Sequence, residues 1–361
     1  MKKINFYSGP AILPNEVLLQ AQASIIDFEG MGMSILEISH RAKPFVAVMD
    51  SARTMVKTLM KLGDDYEVLF LQGGASSQFY MLPYNLLGET ETAGYIDTGT
   101  WAHGALTEAK NFGKVHVIAS SQASSYNHIP KQWNFSSTPY KYIHITTNNT
   151  IYGTQWQVAA IEKLRQHSDI LVADMSSDIF SREIDYTLFD VIYAGAQKNM
   201  GIAGTTVVVV RKPILGKVNR AIPKMLDYRM QIENGSMKNT PSVFAVYVSY
   251  LTLKWIQQQG LTTIYKQNIS KAQSLYRAID ESALVEGTVA IEDRSMMNVC
   301  WRMKDNTLEA AFAEYAKQQG IEGIEGHRTV GGFRASIYNA MPQSGVATLI
   351  QTISDFHHLS R

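Results

Sequence analysis

Apolar residues along the chain follow two spacings. Val17, Leu18, Ala21, Ile25 and Phe28 share one face at helical period, behind Asn15 as a cap and ahead of Gly30 as a stop. Phe45, Val48, Ala52, Met55, Leu59 and Leu62 mark a second helix. Short apolar runs follow at Val68 to Leu71, Tyr95 to Ile96, Val115 to Ala119, Tyr142 to Ile145, Ile170 to Ala173, Val191 to Ala194 and Thr205 to Val210. Runs of this length, bounded by turn residues, predict buried strands. Segments of helical spacing separate several of them, including Trp101 to Phe112 and Val158 to Gln166. This alternation predicts an α/β fold in which helices cover a mostly parallel seven-stranded sheet.

A long amphipathic stretch runs from Ser242 through Trp255 to Gln259 and stops at Gly260, and a further helical pattern spans Thr262 to Ile279. The boundary between a large domain, 16–258, and a small C-terminal domain, 259–361, is placed there. Strands are expected beyond it at Val289 to Ile291, Met297 to Met303 and Phe333 to Tyr338, with helices at Thr307 to Gln319 and Val346 to Phe356. That pattern describes a smaller α/β domain. A length of 361 residues suits two domains at about 150 residues each.

Charge narrows the partners. Lys and Arg total 33 against 32 Asp and Glu, so no overall field draws the chain to nucleic acid or to an anionic membrane, and any anion site must be local. Cys300 is the single cysteine, which excludes an internal disulfide and any multi-cysteine metal site and suits a reducing compartment. Its setting, Asn298-Val299-Cys300-Trp301, reads as an inert thiol in a core strand. No histidine pair has metal-ligand spacing, so no metal is expected. Met1-Lys2-Lys3 begins like an export signal, yet Asn5, Ser8, Gly9 and Pro10 break the apolar stretch that would have to follow. The expected address is cytoplasmic.

Three segments carry candidate chemistry. The strands Ile170 to Ala173 and Val191 to Ala194 run into Asp174 and Lys198, and in an open α/β sheet ligands gather outside the carboxyl ends of strands. A lysine in a partly desolvated crevice favours its neutral amine, which condenses with an aldehyde; pyridoxal phosphate supplies one, and its ring nitrogen needs an anionic partner such as Asp174. Taken singly, Lys198 reads better as a solvated strand end and Asp174 as a helix cap. Ala194, Gly195, Ala196, Gly201, Ala203 and Gly204 tip the balance by leaving room for a flat ring. Gln72-Gly73-Gly74-Ala75-Ser76-Ser77 follows a strand and opens a helix, an arrangement that binds phosphate or is simply a turn. Trp101 opens another helix, where it either stacks on a cofactor or fills a core. Finally, His40-Arg41, His327-Arg328 and Arg334 are local anion-site candidates. Arg334 alternates with Phe333, Ala335 and Ile337 and so takes the opposite strand face.

These segments, with Phe6-Tyr7-Ser8-Gly9-Pro10-Ala11, Asn234-Gly235-Ser236-Met237, Asn239-Thr240-Pro241 and the stretch Gly326 to Ala340, resemble the phosphoserine aminotransferase family from end to end. The resemblance implies a fold-type I pyridoxal-phosphate enzyme, a homodimer with shared active sites, whose N-terminal arm (1–15) packs with the small domain. It implies amino transfer between glutamate and 3-phosphohydroxypyruvate in serine biosynthesis, or on a related 3-phosphorylated substrate of the vitamin B6 pathway. Lys198 would hold the cofactor and move the proton, Asp174 would pair with the ring nitrogen, Trp101 would stack on the ring and Thr150 would contact its hydroxyl side. Ala75, Ser76 and Gln197, with Asn239 and Thr240 of the partner subunit, would surround the cofactor phosphate. Arg334 would take the substrate α-carboxylate, and His40, Arg41, His327 and Arg328 the second acidic group. Ser76 stands where some members of the family carry arginine. The competing readings are a transaminase for another small acid and a non-catalytic binder of phosphorylated metabolites. Cysteine desulfuration is disfavoured because Cys300 lies in a strand pattern.

Overall fold

The computed structural model describes residues 3–359. A two-residue strand β1 (Ile4–Asn5) leads to helices α1 (Asn15–Ile26) and α2 (Lys43–Met60). Then follow β2 (Tyr66–Leu71), α3 (Gly74–Leu86), β3 (Thr92–Asp97), α4 (Thr100–Ala109), β4 (Lys114–Ser120) and β5 (Ile143–Thr146). A small hairpin, β6 (Asn148–Asn149) and β7 (Thr154–Gln155), precedes α5 (Val158–Arg165), β8 (Leu171–Asp174), β9 (Val191–Gly195) and β10 (Thr206–Arg211). Three helices come next: α6 (Tyr228–Glu233), α7 (Val243–Gln259) and α8 (Leu261–Asp280).

Seven of these strands form one sheet in the order β2-β10-β9-β8-β5-β3-β4, and only β10 runs antiparallel to its neighbours. The expected mostly parallel sheet is therefore present. Because side chains alternate along a strand, each face has its own core. Phe70, Ile145, Ala173 and Ile192 pack with residues of α2 and α7 such as Phe45 and Val248. Leu69, Tyr95, Tyr142, Val172 and Tyr193 pack with α3 and α4 through Phe79, Leu82 and Leu106. The parallel strands all end at one edge, so Thr146, Asp174 and the turn after Gly195 come together there.

The remaining chain adds β11 (Val285–Gly287), β12 (Asn298–Met303), α9 (Glu309–Gln318), β13 (Ile321–Glu322), β14 (Phe333–Ser336) and α10 (Gln343–Leu359). β11, β12 and β14 form an antiparallel sheet. Its core joins Trp301 and Phe333, stacked at 5.7 Å between centroids, to Leu275, Phe312 and Leu349. The first residues belong to this body: β1 pairs with β13, and Phe6 is fully buried in the same cluster.

Two expectations fail for identifiable reasons. The strand expected at Val289 to Ile291 lies instead at Val285–Gly287; further on, Ala290 donates its N–H to the Asn127 carbonyl at 3.0 Å, and Ile291 opens a 3₁₀ turn that leaves it exposed. A backbone donor satisfied elsewhere cannot extend the ladder. The first helix has Pro14 rather than Asn15 at its cap position and ends at Ile26, and its buried face is Val17, Ala21 and Ser24. Leu18 and Ile25 are exposed, as are Leu19 and Ile26.

Phe6 anchors the N-terminal residues to the distal core. Phe6→Ala is expected to cost about 3–5 kcal/mol, read as a lower denaturation midpoint at unchanged slope in urea.

Candidate active site

Asp174 ends β8, where the chain turns sharply away from the sheet. Ser176, two residues on, donates both its backbone N–H (2.9 Å) and its hydroxyl (2.6 Å) to one Asp174 oxygen. The same hydroxyl oxygen accepts the Gly195 N–H at 3.2 Å, which ties the carboxylate to the end of β9. Burial pushes the Asp174 pKa up, while the Ser176 donors and the charge of Lys198 oppose the shift.

Lys198 follows β9 by three residues, on a turn closed by the Ala196 N–H to the Thr205 carbonyl. Its ammonium donates to Thr150 Oγ1 at 2.6 Å. Desolvation lowers its pKa to about 8, partly offset by Asp174 and reinforced by Arg334. The N-terminal strand of chain lies against this turn: Ala11 donates its N–H to the Gln197 carbonyl, and a Cβ at Gly9 would meet Gln197 Cγ at 3.3 Å and Lys198 Cγ at 3.5 Å.

Gly73 and Gly74 start α3 with φ of +96° and +70°. A Cβ at Gly73 would sit 1.9 Å from Ser77 Oγ, which itself donates to the Gly73 carbonyl. The loop therefore demands glycine there. It presents the free N–H groups of the α3 start, at Gly74, Ala75 and Ser76, to a cavity of about 320 Å³.

Arg334 enters the same cavity from β14, while Phe333 and Ala335 point into the distal core. It is 8% exposed, donates to Ser8 Oγ at 2.9 Å and has a buried Nε with no partner. A buried guanidinium with unused donors is a site for an incoming carboxylate.

Ala75, Ser76, Trp101, Thr150, Asp174, Gln197, Lys198, His327 and Arg334 all line this one cavity. His327 is half-buried, bonded to Thr329 Oγ1 at 2.7 Å, and its pKa is lowered by burial and by the two nearby arginines. Trp101 is 39% exposed at the start of α4, so it is no core residue. Arg328 is exposed on its loop, and His40 and Arg41 precede α2; none of the three lines the cavity. Asn239 and Thr240 are exposed beside Gln72, which receives the Asn239 amide at 3.4 Å and donates to the Thr240 carbonyl at 3.0 Å.

Sequence reasoning assigned no role to several lining residues, among them Ser8, Phe79, Thr146, Asn148, Ser176 and Ser177. The polar run Thr146-Thr147-Asn148-Asn149, buried directly after an apolar strand, was the available signal. Cys300 is buried, and burial pushes its thiol up to about 12, which makes it an unreactive group.

A strand-end carboxylate, a desolvated amine, a helix start with free N–H groups and a half-used guanidinium around one cavity define a site suited to aldehyde-dependent amino-group chemistry. The chain belongs to the class-V aminotransferases, whose family model matches residues 4–349. Within that class it belongs to the phosphoserine aminotransferase family. Curated relatives of that name include those of Parabacteroides distasonis, 50% identical over 99% of both chains, and Flavobacterium johnsoniae, 51% identical over 98% of both. The solved phosphoserine aminotransferase of Bacillus circulans superposes with a TM-score of 0.94 at 42% identity, covering 100% of this chain and 99% of that one. The Trichomonas vaginalis enzyme, solved with bound PLP, gives 0.90 at 34% identity, covering 98% of this chain and 100% of that one.

Gly73→Ala combines an unfavourable φ with a clash against Ser77. It is expected to lower stability by about 1–3 kcal/mol, measured by thermal unfolding of the cofactor-free protein.

Proposed function

We propose that the chain is a pyridoxal-phosphate-dependent transaminase that moves an amino group between L-glutamate and 3-phosphohydroxypyruvate, giving O-phospho-L-serine and 2-oxoglutarate in serine biosynthesis. The observation that carries this reading is the opposition of Lys198 and Asp174 across a cavity whose other walls offer two anion sites. The cavity fits the cofactor. The α3 start has free N–H donors for a phosphate, Asp174 has an anionic oxygen for a pyridine nitrogen, and the exposed face of Trp101 suits stacking on a flat ring. When bound, pyridoxal phosphate supplies an aldehyde for the amine and a ring that draws electrons from the substrate α-carbon.

Each protein group then has one task. Lys198, with its amine poised near neutrality, takes the proton from the substrate α-carbon and returns it. Asp174 keeps a proton on the ring nitrogen by remaining ionised. Thr150 orients the Lys198 amine, and Ala75, Ser76 and Gln197 hold the cofactor phosphate. Arg334 fixes the α-carboxylate through its unused donors, so that the α-carbon lies over Lys198. His40, Arg41, His327 and Arg328 receive the substrate phosphate, or the glutamate side-chain carboxylate in the other half-reaction. The two substrates exchange in turn at this one site.

A second copy of the chain belongs to this reading. His40, Arg41, Asn239 and Thr240 lie outside the cavity of their own chain, and Leu18, Leu19, Ile25, Ile26, Met31, Met33 and Leu36 expose an apolar surface suited to burial in a dimer. We retain the division into an arm (1–15), a large domain (16–258) and a small domain (259–361). We also place the protein in the cytoplasm: among the described residues no helix is long and apolar enough to cross a membrane, and Cys300 is a free thiol.

Adding glutamate to the loaded protein is expected to bleach its visible absorption band, and 3-phosphohydroxypyruvate to restore it; no response to either overturns the assignment. Lys198→Ala is expected to lose the borohydride-trappable linkage and at least about 10²–10⁴-fold in turnover. Because the Lys198 pKa is depressed to about 8, its neutral form grows with pH up to that value. Covalent capture of pyridoxal phosphate by the cofactor-free protein is thus expected to rise about tenfold per pH unit from about pH 6 and to level off above about 8. A rise that continues unbroken beyond about pH 10 marks an ordinary, solvated lysine instead.

A further inference from the structure

A lysine that the reaction as described does not use is buried against the residues that follow β14. Lys271, on α8, is 1% exposed, and its amine donates to the carbonyls of Ile337 at 3.0 Å and Tyr338 at 2.7 Å. Among the described residues no carboxylate pairs with it, and burial lowers its pKa to about 7. A buried amine without a counter-charge costs stability, and an apolar side chain of similar length, such as methionine, would avoid that cost. What the lysine supplies instead is two hydrogen bonds to backbone. A neutral amine has two N–H groups and an ammonium three, so both carbonyls keep a donor in either state.

The two carbonyls belong to a short bridge between the halves of the site. Arg334 stands at one end of it, within β14, whose pairing with β12 reaches only to Ser336. At the other end the Asn339 N–H donates to Asn199 Oδ1 at 3.1 Å, next to Lys198. Asn268, one turn before Lys271 on α8, donates to Asn339 Oδ1 at 2.9 Å and to the Ser181 carbonyl at 2.8 Å, so this end is tied to both domains. Between the ends, Lys271 grips the first two residues past the strand. Tyr338, fully buried, donates its hydroxyl to the Ser8 carbonyl at 2.8 Å, and Ser8 Oγ in turn accepts Arg334 Nη2 at 2.9 Å. Arg334, the backbone to Tyr338 and Ser8 thus form a closed ring of bonds, and Lys271 fastens that ring to α8.

We propose that Lys271 and Tyr338 are positioning residues that fix the Arg334 guanidinium for the α-carboxylate of both substrates. The proposal rests on the reading of Arg334 as the anchor of that carboxylate. Lys271 holds the backbone, and Tyr338 carries the constraint through Ser8 to the guanidinium. Loosening either one lets Arg334 and Ser8 shift, while the Lys198 turn stays held through Asn199 and Asn268. The carboxylate is bound in the ground state and the transition state alike, so such a shift raises KM more than it lowers kcat.

The test measures steady-state kinetics of the holoenzyme with glutamate and 3-phosphohydroxypyruvate. Lys271→Met is expected to raise both KM values about tenfold with kcat within about threefold, and Tyr338→Phe to raise them about threefold, with borohydride-trapped cofactor at the parent level in each. In an Arg334→Lys background, Lys271→Met is expected to add less than about twofold, because its effect passes through the guanidinium. A lower melting temperature with both KM values unchanged marks a purely structural role and overturns the proposal, as does a fall in kcat at unchanged KM. Should Lys271→Met not fold, Tyr338→Phe, which removes a single oxygen, decides by the same criteria. Arg334→Lys alone separates the two claims. A raised KM there with none in Lys271→Met or Tyr338→Phe sinks the positioning role only, whereas an unchanged KM in Arg334→Lys sinks the carboxylate anchor itself.

Discussion

The structure depends on one unfavourable act, the removal of an amine and a carboxylate from water at the edge of a sheet. Burial pushes each toward its neutral form, Lys198 downward and Asp174 upward, while their mutual attraction and the local donors pull the other way. The balance leaves an amine that changes protonation near neutral pH and a carboxylate held by hydrogen bonds. Neither state is available to the same residues in water. The parallel strands bring Asp174 and the Lys198 turn to one edge, and the two cores on either side of the sheet keep that edge rigid.

The free donors that line the cavity come from separate bodies. The α3 start offers its N–H groups from the large sheet, and Arg334 reaches in from the antiparallel sheet beyond it. A buried polar seam joins the two: Asn148 donates to Ser177 Oγ at 2.7 Å and to Asn298 Oδ1 at 2.8 Å, and Tyr338 donates to the Ser8 carbonyl at 2.8 Å. Fully satisfied networks of this kind fix relative orientation more than they add stability. Here they set how far the guanidinium stands from the amine.

Much of this was legible along the chain because the sheet has a simple grammar. Strands buried on both faces read as apolar runs, and the glycines after β2 and the small residues around Lys198 flag where backbone must come close to something flat or charged. Edges and contacts were less legible. Ile291 looks like a strand residue, but its neighbour Ala290 bonds to Asn127, more than 150 positions earlier. Leu18 and Ile25 share a face on a helical wheel, yet the helix rolls to bury Ala21 and Ser24. His144 and Tyr193 looked like ordinary strand residues, since nothing in their local sequence announces that one meets the other at 2.8 Å across the buried sheet.

The order of residues alone determined the class of fold, the two strand-end residues Asp174 and Lys198 and the glycine-rich turn before α3, because periodicity, strand ends and positive φ are local properties. The tertiary structure alone decided which charged residues share a cavity: it admitted Arg334 and His327 and left His40, Arg41 and Arg328 outside. Proximity between distant segments arises from strand order and packing, and protonation depends on how completely water is excluded, so neither can be read one residue at a time.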